Sequence, residues 1–145
     1  MIASKFIYLV PNFDDEGEWD DHDWIEYPGR IVAGVLSEIL QGLGYKVEAV
    51  DSEGPKGWEF SFWDQGVQLW MRVGAIEDFL IVLGAPGWLD IFGRKKKVFT
   101  RMIERLAAAL AADARFGNIR WYTKQQMDAG EWEEGSMSGR DEPPA

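Results

Sequence analysis

At 145 residues, with 46% hydrophobic and 28% charged side chains, the chain is sized for one domain with a real core. The absence of cysteine excludes disulfides, thiolate metal sites and a cysteine nucleophile. The net charge of −10 is gathered in two stretches, 12–26 with eight acids and no Lys or Arg, and 128–145 with six acids against Arg140, a balance that disfavours nucleic acid and favours a basic partner.

The first element is a strand at Lys5–Val10, closed by Pro11-Asn12 and too short for a signal-peptide core. The longest apolar run, Phe79–Pro86, falls far short of a membrane span. The expectation is a cytoplasmic protein with no membrane partner. Residues 12–27 read as a long acidic loop. Pro28-Gly29 then precede a helix with apolar positions Ile31, Val32, Val35, Leu36, Ile39, Leu40 and Leu43 on one face, ended by Gly44. Tyr45, Val47 and Ala49 alternate with charged residues and make a second strand.

Trp58, Phe60 and Phe62 alternate with polar residues, as do Val67, Leu69, Met71 and Val73. A two-residue turn at Gln65-Gly66 sets Phe62 opposite Leu69, Phe60 opposite Met71 and Trp58 opposite Val73, all on one face. A slip of one residue would bury Gln68, so the apolar pattern selects this register. The other face then carries Trp63 opposite Gln68, Ser61 opposite Trp70 and Glu59 opposite Arg72, the last pair placed for a cross-strand ion pair.

Phe79–Leu83 is a continuous apolar strand suited to the middle of a sheet. A second helix carries Phe99, Met102, Ile103, Leu106 and Leu110 and ends near Ala112. Ile119–Tyr122 is a last strand. Thr123 with Gln126 forms a capping box for a final short helix that Gly130 stops. The expected fold is α+β in the order β-α-β-β-β-β-α-β, a largely antiparallel sheet of five to six strands with two main helices on one face. Residues 1–134 form the domain, and the Gly-, Ser- and Pro-containing stretch 135–145 reads as a disordered tail.

Chemistry is sparse. Asn12, Asp14, Glu16, Asp20 and Asp23 partly follow the spacing of a calcium loop, with Gly17 at its sixth position. Asn at the first position, Asp at the last and a strand leading in all depart from that pattern. Binding of Ca²⁺ or Mg²⁺, or a metal-dependent enzyme built on 12–23, is therefore the alternative to a chain without a cofactor. The one histidine, His22, sits among aspartates, and no catalytic motif surrounds it. Arg94-Lys95-Lys96-Lys97 reads as a solvated helix face leaning toward the acidic loop, with an anion site as the sharper option.

Eight tryptophans exceed what such a core needs. Trp58 and Trp121 fit the core, whereas Trp88 and Trp132 fall in loop or tail segments. Trp19 and Trp24 lie in the acidic loop, and Trp63 and Trp70 lie on the outer sheet face. With Asp20, Asp21 and Asp23 these four are the candidate contact residues for another protein, since tryptophan concentrates in binding hot spots. The outer face also suits a homodimer.

Leu40–Val50, Gly57-Trp58-Glu59-Phe60, and Asp113-Ala114-Arg115-Phe116 running to Ile119-Arg120-Trp121-Tyr122 together resemble small immunity-type proteins of bacterial polymorphic toxin systems. The resemblance spans about 30–124 and carries over no functional residue. It implies a cytoplasmic α+β protein that covers a toxin's active site. The function expected is a non-enzymatic module that binds a basic protein through an acidic, tryptophan-bearing surface.

Overall fold

The computed structural model describes residues 1–76 and 78–130. In chain order the elements are β1 (Ala3–Pro11), β2 (Glu18–Trp19), β3 (Trp24–Glu26), α1 (Arg30–Gly42), β4 (Lys46–Val47), β5 (Asp51–Ser52), β6 (Trp58–Asp64), β7 (Val67–Ile76), β8 (Asp78–Ala85), α2 (Arg94–Ala112), β9 (Phe116–Tyr122) and α3 (Lys124–Ala129). Single 3-10 turns precede β6 and α2. The tail expected at 135–145 and Trp132 lie outside the described residues.

The fold is α+β. Six strands run across the main sheet in the order β4-β6-β7-β8-β1-β9, and β5 makes a seventh by pairing with β6 beyond β4. Every pairing is antiparallel. The Trp58–Val73 hairpin adopts the register that its alternation selects: Trp58 faces Val73, Phe60 faces Met71 and Phe62 faces Leu69. Gln65 and Gly66, at φ 52 and 74, are both left-handed, the conformation a two-residue hairpin turn demands.

Both main helices lie under one face of the sheet. Ile7, Leu9, Phe60, Phe62, Leu69, Met71, Ile81 and Leu83 point inward and are buried against Val32, Leu36 and Leu40 of α1 and Met102, Leu106 and Leu110 of α2. β8 is central, as its continuous apolar run requires. Trp121 is 1% exposed and belongs to the core, while Trp58 packs against its border. The α1 stripe is rotated from the one read in the sequence: Ile31 faces out, and Ala33 and Ser37 go inside. The capping box at Thr123 forms, and Gly130 ends α3 at φ 72.

Two local readings change. The second strand is cut to Lys46–Val47 as β4, and a separate pair beyond it, Asp51–Ser52, forms β5, whose register on β6 differs from that of β4 by one residue. The acidic loop is not all loop, because β2 and β3 pair within it as a small ribbon. Neither is visible as periodicity, since strands of two or three residues are too short to show a period. The Glu59–Arg72 pair faces as expected, yet the Arg72 guanidinium lies over the Trp70 ring at 5.3 Å instead. Burial, followed by the nearby Glu53, pushes the Glu59 carboxyl upward from its ordinary value.

Candidate functional site

The β2–β3 ribbon stands at the end of the sheet where β1 finishes and β8 begins. Its turn, Asp20–Asp23, is closed by the Asp20 side chain. Oδ1 of Asp20 accepts the backbone N–H of His22 at 2.8 Å and of Asp23 at 2.7 Å, and the Asp20 N–H donates to the Asp23 carbonyl at 3.0 Å. These donors, His22 first, hold the Asp20 carboxyl below the usual aspartate value. Aspartate is suited to this position because its short side chain reaches the backbone two residues on.

The turn sets Trp19 opposite Trp24. Their rings meet edge to face at 5.0 Å, and Trp24 lies 5.7 Å from Tyr27. Tyr27 is in turn anchored to the sheet, because its carbonyl accepts the Trp58 indole N–H at 3.0 Å. Gly17 is needed at the base: at φ +73, a Cβ there would stand 2.4 Å from the Glu26 carbonyl oxygen. The outcome is a braced aromatic cluster with Trp19 55% and Trp24 36% exposed, and Ile25 exposed beside it.

Carboxylates surround the cluster, and several are already engaged. Asp15 is buried and accepts the Val32 N–H at 2.8 Å, capping α1 in place of Gly29, which has no side chain to do so. Glu26 pairs with Arg30 at 2.6 Å, and Asp23 accepts the Trp24 N–H at 2.8 Å. Asp21 and Asp23 are exposed at the turn. Asp14, Asp15, Glu16 and Asp78 line a shallow cavity of about 260 Å³ floored by Phe13 and Phe79. That volume is below the range usual for small-molecule pockets, and two of its four carboxylates are engaged within the protein, Asp15 by the Val32 N–H and Asp78 by the Tyr8 hydroxyl at 2.6 Å.

Trp63 and Trp70 stand apart from this cluster, on the sheet face that α1 and α2 leave uncovered. Both are half-buried. The Trp63 indole donates to Glu48 at 3.1 Å, and Trp70 carries the Arg72 guanidinium. The structure therefore joins Trp19, Asp20, Asp21, Asp23 and Trp24 and leaves Trp63 and Trp70 outside. Tyr27 is the member that the sequence did not disclose, because a lone tyrosine before Pro28 carries no pattern.

Of the five residues spaced like a calcium loop, Asn12 is tied away, its side-chain N–H donating to the Ala114 carbonyl at 2.9 Å. Asp14 and Glu16 border the cavity, while Asp20 and Asp23 hold the turn. Among the described residues no three His, Asp or Glu side chains gather as an ion-holding group.

The Arg94–Lys97 run does not lean toward the acidic ribbon. It follows β8 at the opposite end of the sheet, where Arg94 donates to the Gln65 carbonyl in the β6–β7 turn. Among the described residues no helix is long and apolar enough to cross a membrane. Compared with family models, curated proteins and solved structures, the chain matches none.

Proposed function

We propose that the chain is a non-enzymatic, cytoplasmic protein-binding module that seats its acidic ribbon on a basic surface of its partner, in the manner of immunity-type proteins. The observation that carries this reading is the exposed Trp19–Trp24 pair, braced by the half-buried Tyr27 and bordered by Asp20, Asp21 and Asp23. A rigid aromatic pair loses little conformational entropy on binding, and indoles in such positions contribute most of an interface's energy. The surrounding acids would speed the encounter with a cationic partner and make it sensitive to salt.

The test is capture from the native host with the wild-type chain and with Trp19→Ala/Trp24→Ala as baits, followed by titration of the recovered protein. The expected partner is basic, binds the double variant roughly thirtyfold more weakly, and releases as salt rises. Recovery of no partner, or equal binding by both baits, would sink the proposal.

A further inference from the structure

The loop that joins β8 to α2 exposes four large apolar side chains within five residues. Trp88 is 89% exposed and Phe92 95%, with Leu89 and Ile91 also outside. Pro86-Gly87 and Gly93 bound the loop, and its single 3-10 turn, Ile91–Gly93, buries none of its residues. Phe92 holds a left-handed backbone at φ 58, a conformation that a bulky residue adopts only at a cost. Strain spent on keeping an aromatic ring in water points to use of that ring.

Directly behind the tip come Arg94, Lys95, Lys96 and Lys97. Arg94, Lys96 and Lys97 are exposed, and no ion pair among the described residues engages Lys95, Lys96 or Lys97. Asp90, the only acid in the loop, is spent on the helix: its carboxylate accepts the Lys95 N–H at 2.7 Å and the Lys96 N–H at 3.3 Å. Between the loop and the β6–β7 turn lies an open cavity of about 400 Å³, lined by Trp63, Leu89, Ile91, Arg94 and Lys95. It offers two cations beside apolar walls, which is the chemistry of a phosphate headgroup attached to an acyl chain.

We infer that this loop is a peripheral membrane contact, in which Trp88, Leu89, Ile91 and Phe92 enter the interface of an anionic lipid surface while Arg94–Lys97 meet its phosphates. A Trp- and Phe-bearing tip with a cationic collar is the side-chain pairing that membrane interfaces favour. The acids of the ribbon do not oppose it. They sit at the far end of the sheet, about 25 Å away along the eight residues of β8, roughly three Debye lengths at physiological salt. What favours insertion over docking on a protein is the segregation of the loop: an apolar tip with the cations gathered directly behind it, the order in which an anionic lipid interface presents its acyl chains and its phosphates.

The test is vesicle flotation of the full chain on liposomes roughly one-third phosphatidylglycerol and on purely zwitterionic ones. Wild type is expected on the anionic vesicles only. Trp88→Ser/Phe92→Ser and Lys96→Glu/Lys97→Glu are each expected to bind at least about tenfold more weakly. All four positions are exposed, and circular dichroism checks that the variants fold. Failure of wild type to float, equal binding to zwitterionic vesicles, or undiminished binding by either variant overturns the inference. So does concentration-dependent self-association of the chain, lost in Trp88→Ser/Phe92→Ser, without vesicle binding, because the loop would then belong to a second copy. None of these outcomes touches the ribbon, so the two proposals fail separately.

Discussion

The two ends of the sheet start a helix by the same device and show solvent opposite charges. At one end Gly29, left-handed at φ 114, leads into α1, and Asp15 reaches in to cap Val32. At the other, Gly93, left-handed at φ 70, leads into α2, and Asp90 caps Lys95 and Lys96. The excursions between cap and helix differ. The acidic one holds a whole ribbon and is braced by ring contacts and by the Trp58–Tyr27 hydrogen bond. The basic one is a single turn in which Trp88 and Phe92 stand almost wholly in solvent, while Leu89 and Ile91 border the cavity beside Trp63. A cap fixes the base of an excursion, and side-chain contacts decide how much of its tip is buried.

The largest effect is expected from Asp15→Ala, which removes a buried cap and should cost about 1–2 kcal/mol in urea unfolding. Asp90→Ala, on a more exposed cap, should cost about 1 kcal/mol or less, with the ribbon's amide resonances unmoved. A larger loss at Asp90 than at Asp15 would break the contrast between the two ends. Trp19→Ala/Trp24→Ala should lower stability by about 0.5–1.5 kcal/mol, the worth of an aromatic pair. Trp88→Ser/Phe92→Ser should stay within about 0.5 kcal/mol of wild type, because those rings support nothing.

The smallest effect concerns pH. The folded Asp20 carboxyl titrates below the ordinary value of 3.8. Its support of the turn is therefore complete above 3.8 and is lost as pH falls through the lowered value. Carboxyl NMR titration should place its midpoint below that of an unfolded peptide, and a midpoint at or above the peptide's contradicts the hydrogen bonding described.

The central part of the fold was legible in the sequence because one rule governed each element. Alternation from Trp58 to Val73 admits a single register, and the apolar run of Phe79–Leu83 marks a strand in the middle of the sheet, flanked by β7 and β1. Thr123 and Gln126 announce their own cap. The candidate site was less legible. Trp19 and Trp24 were readable as exposed aromatics among acids, but their pairing depends on a turn held by Asp20. Trp63 and Trp70 share a face by parity alone, and parity says nothing of the Glu48 and Arg72 side chains that occupy them. Of the exposed loop, only Trp88 was placed outside the core by the sequence, because no period marks Leu89, Ile91 and Phe92 as buried or exposed.

The interrupted margins of the sheet have a further consequence. β4 and β5 meet β6 in registers one residue apart, and at the opposite margin β9 shifts by one residue against β1 near Asn118, itself left-handed at φ 52. Neither rim offers an unbroken row of N–H and C=O groups on which another chain's strand could grow. In a chain with exposed aromatic rings at both poles, the broken registers of the rims stand as a barrier to edge-to-edge polymerisation.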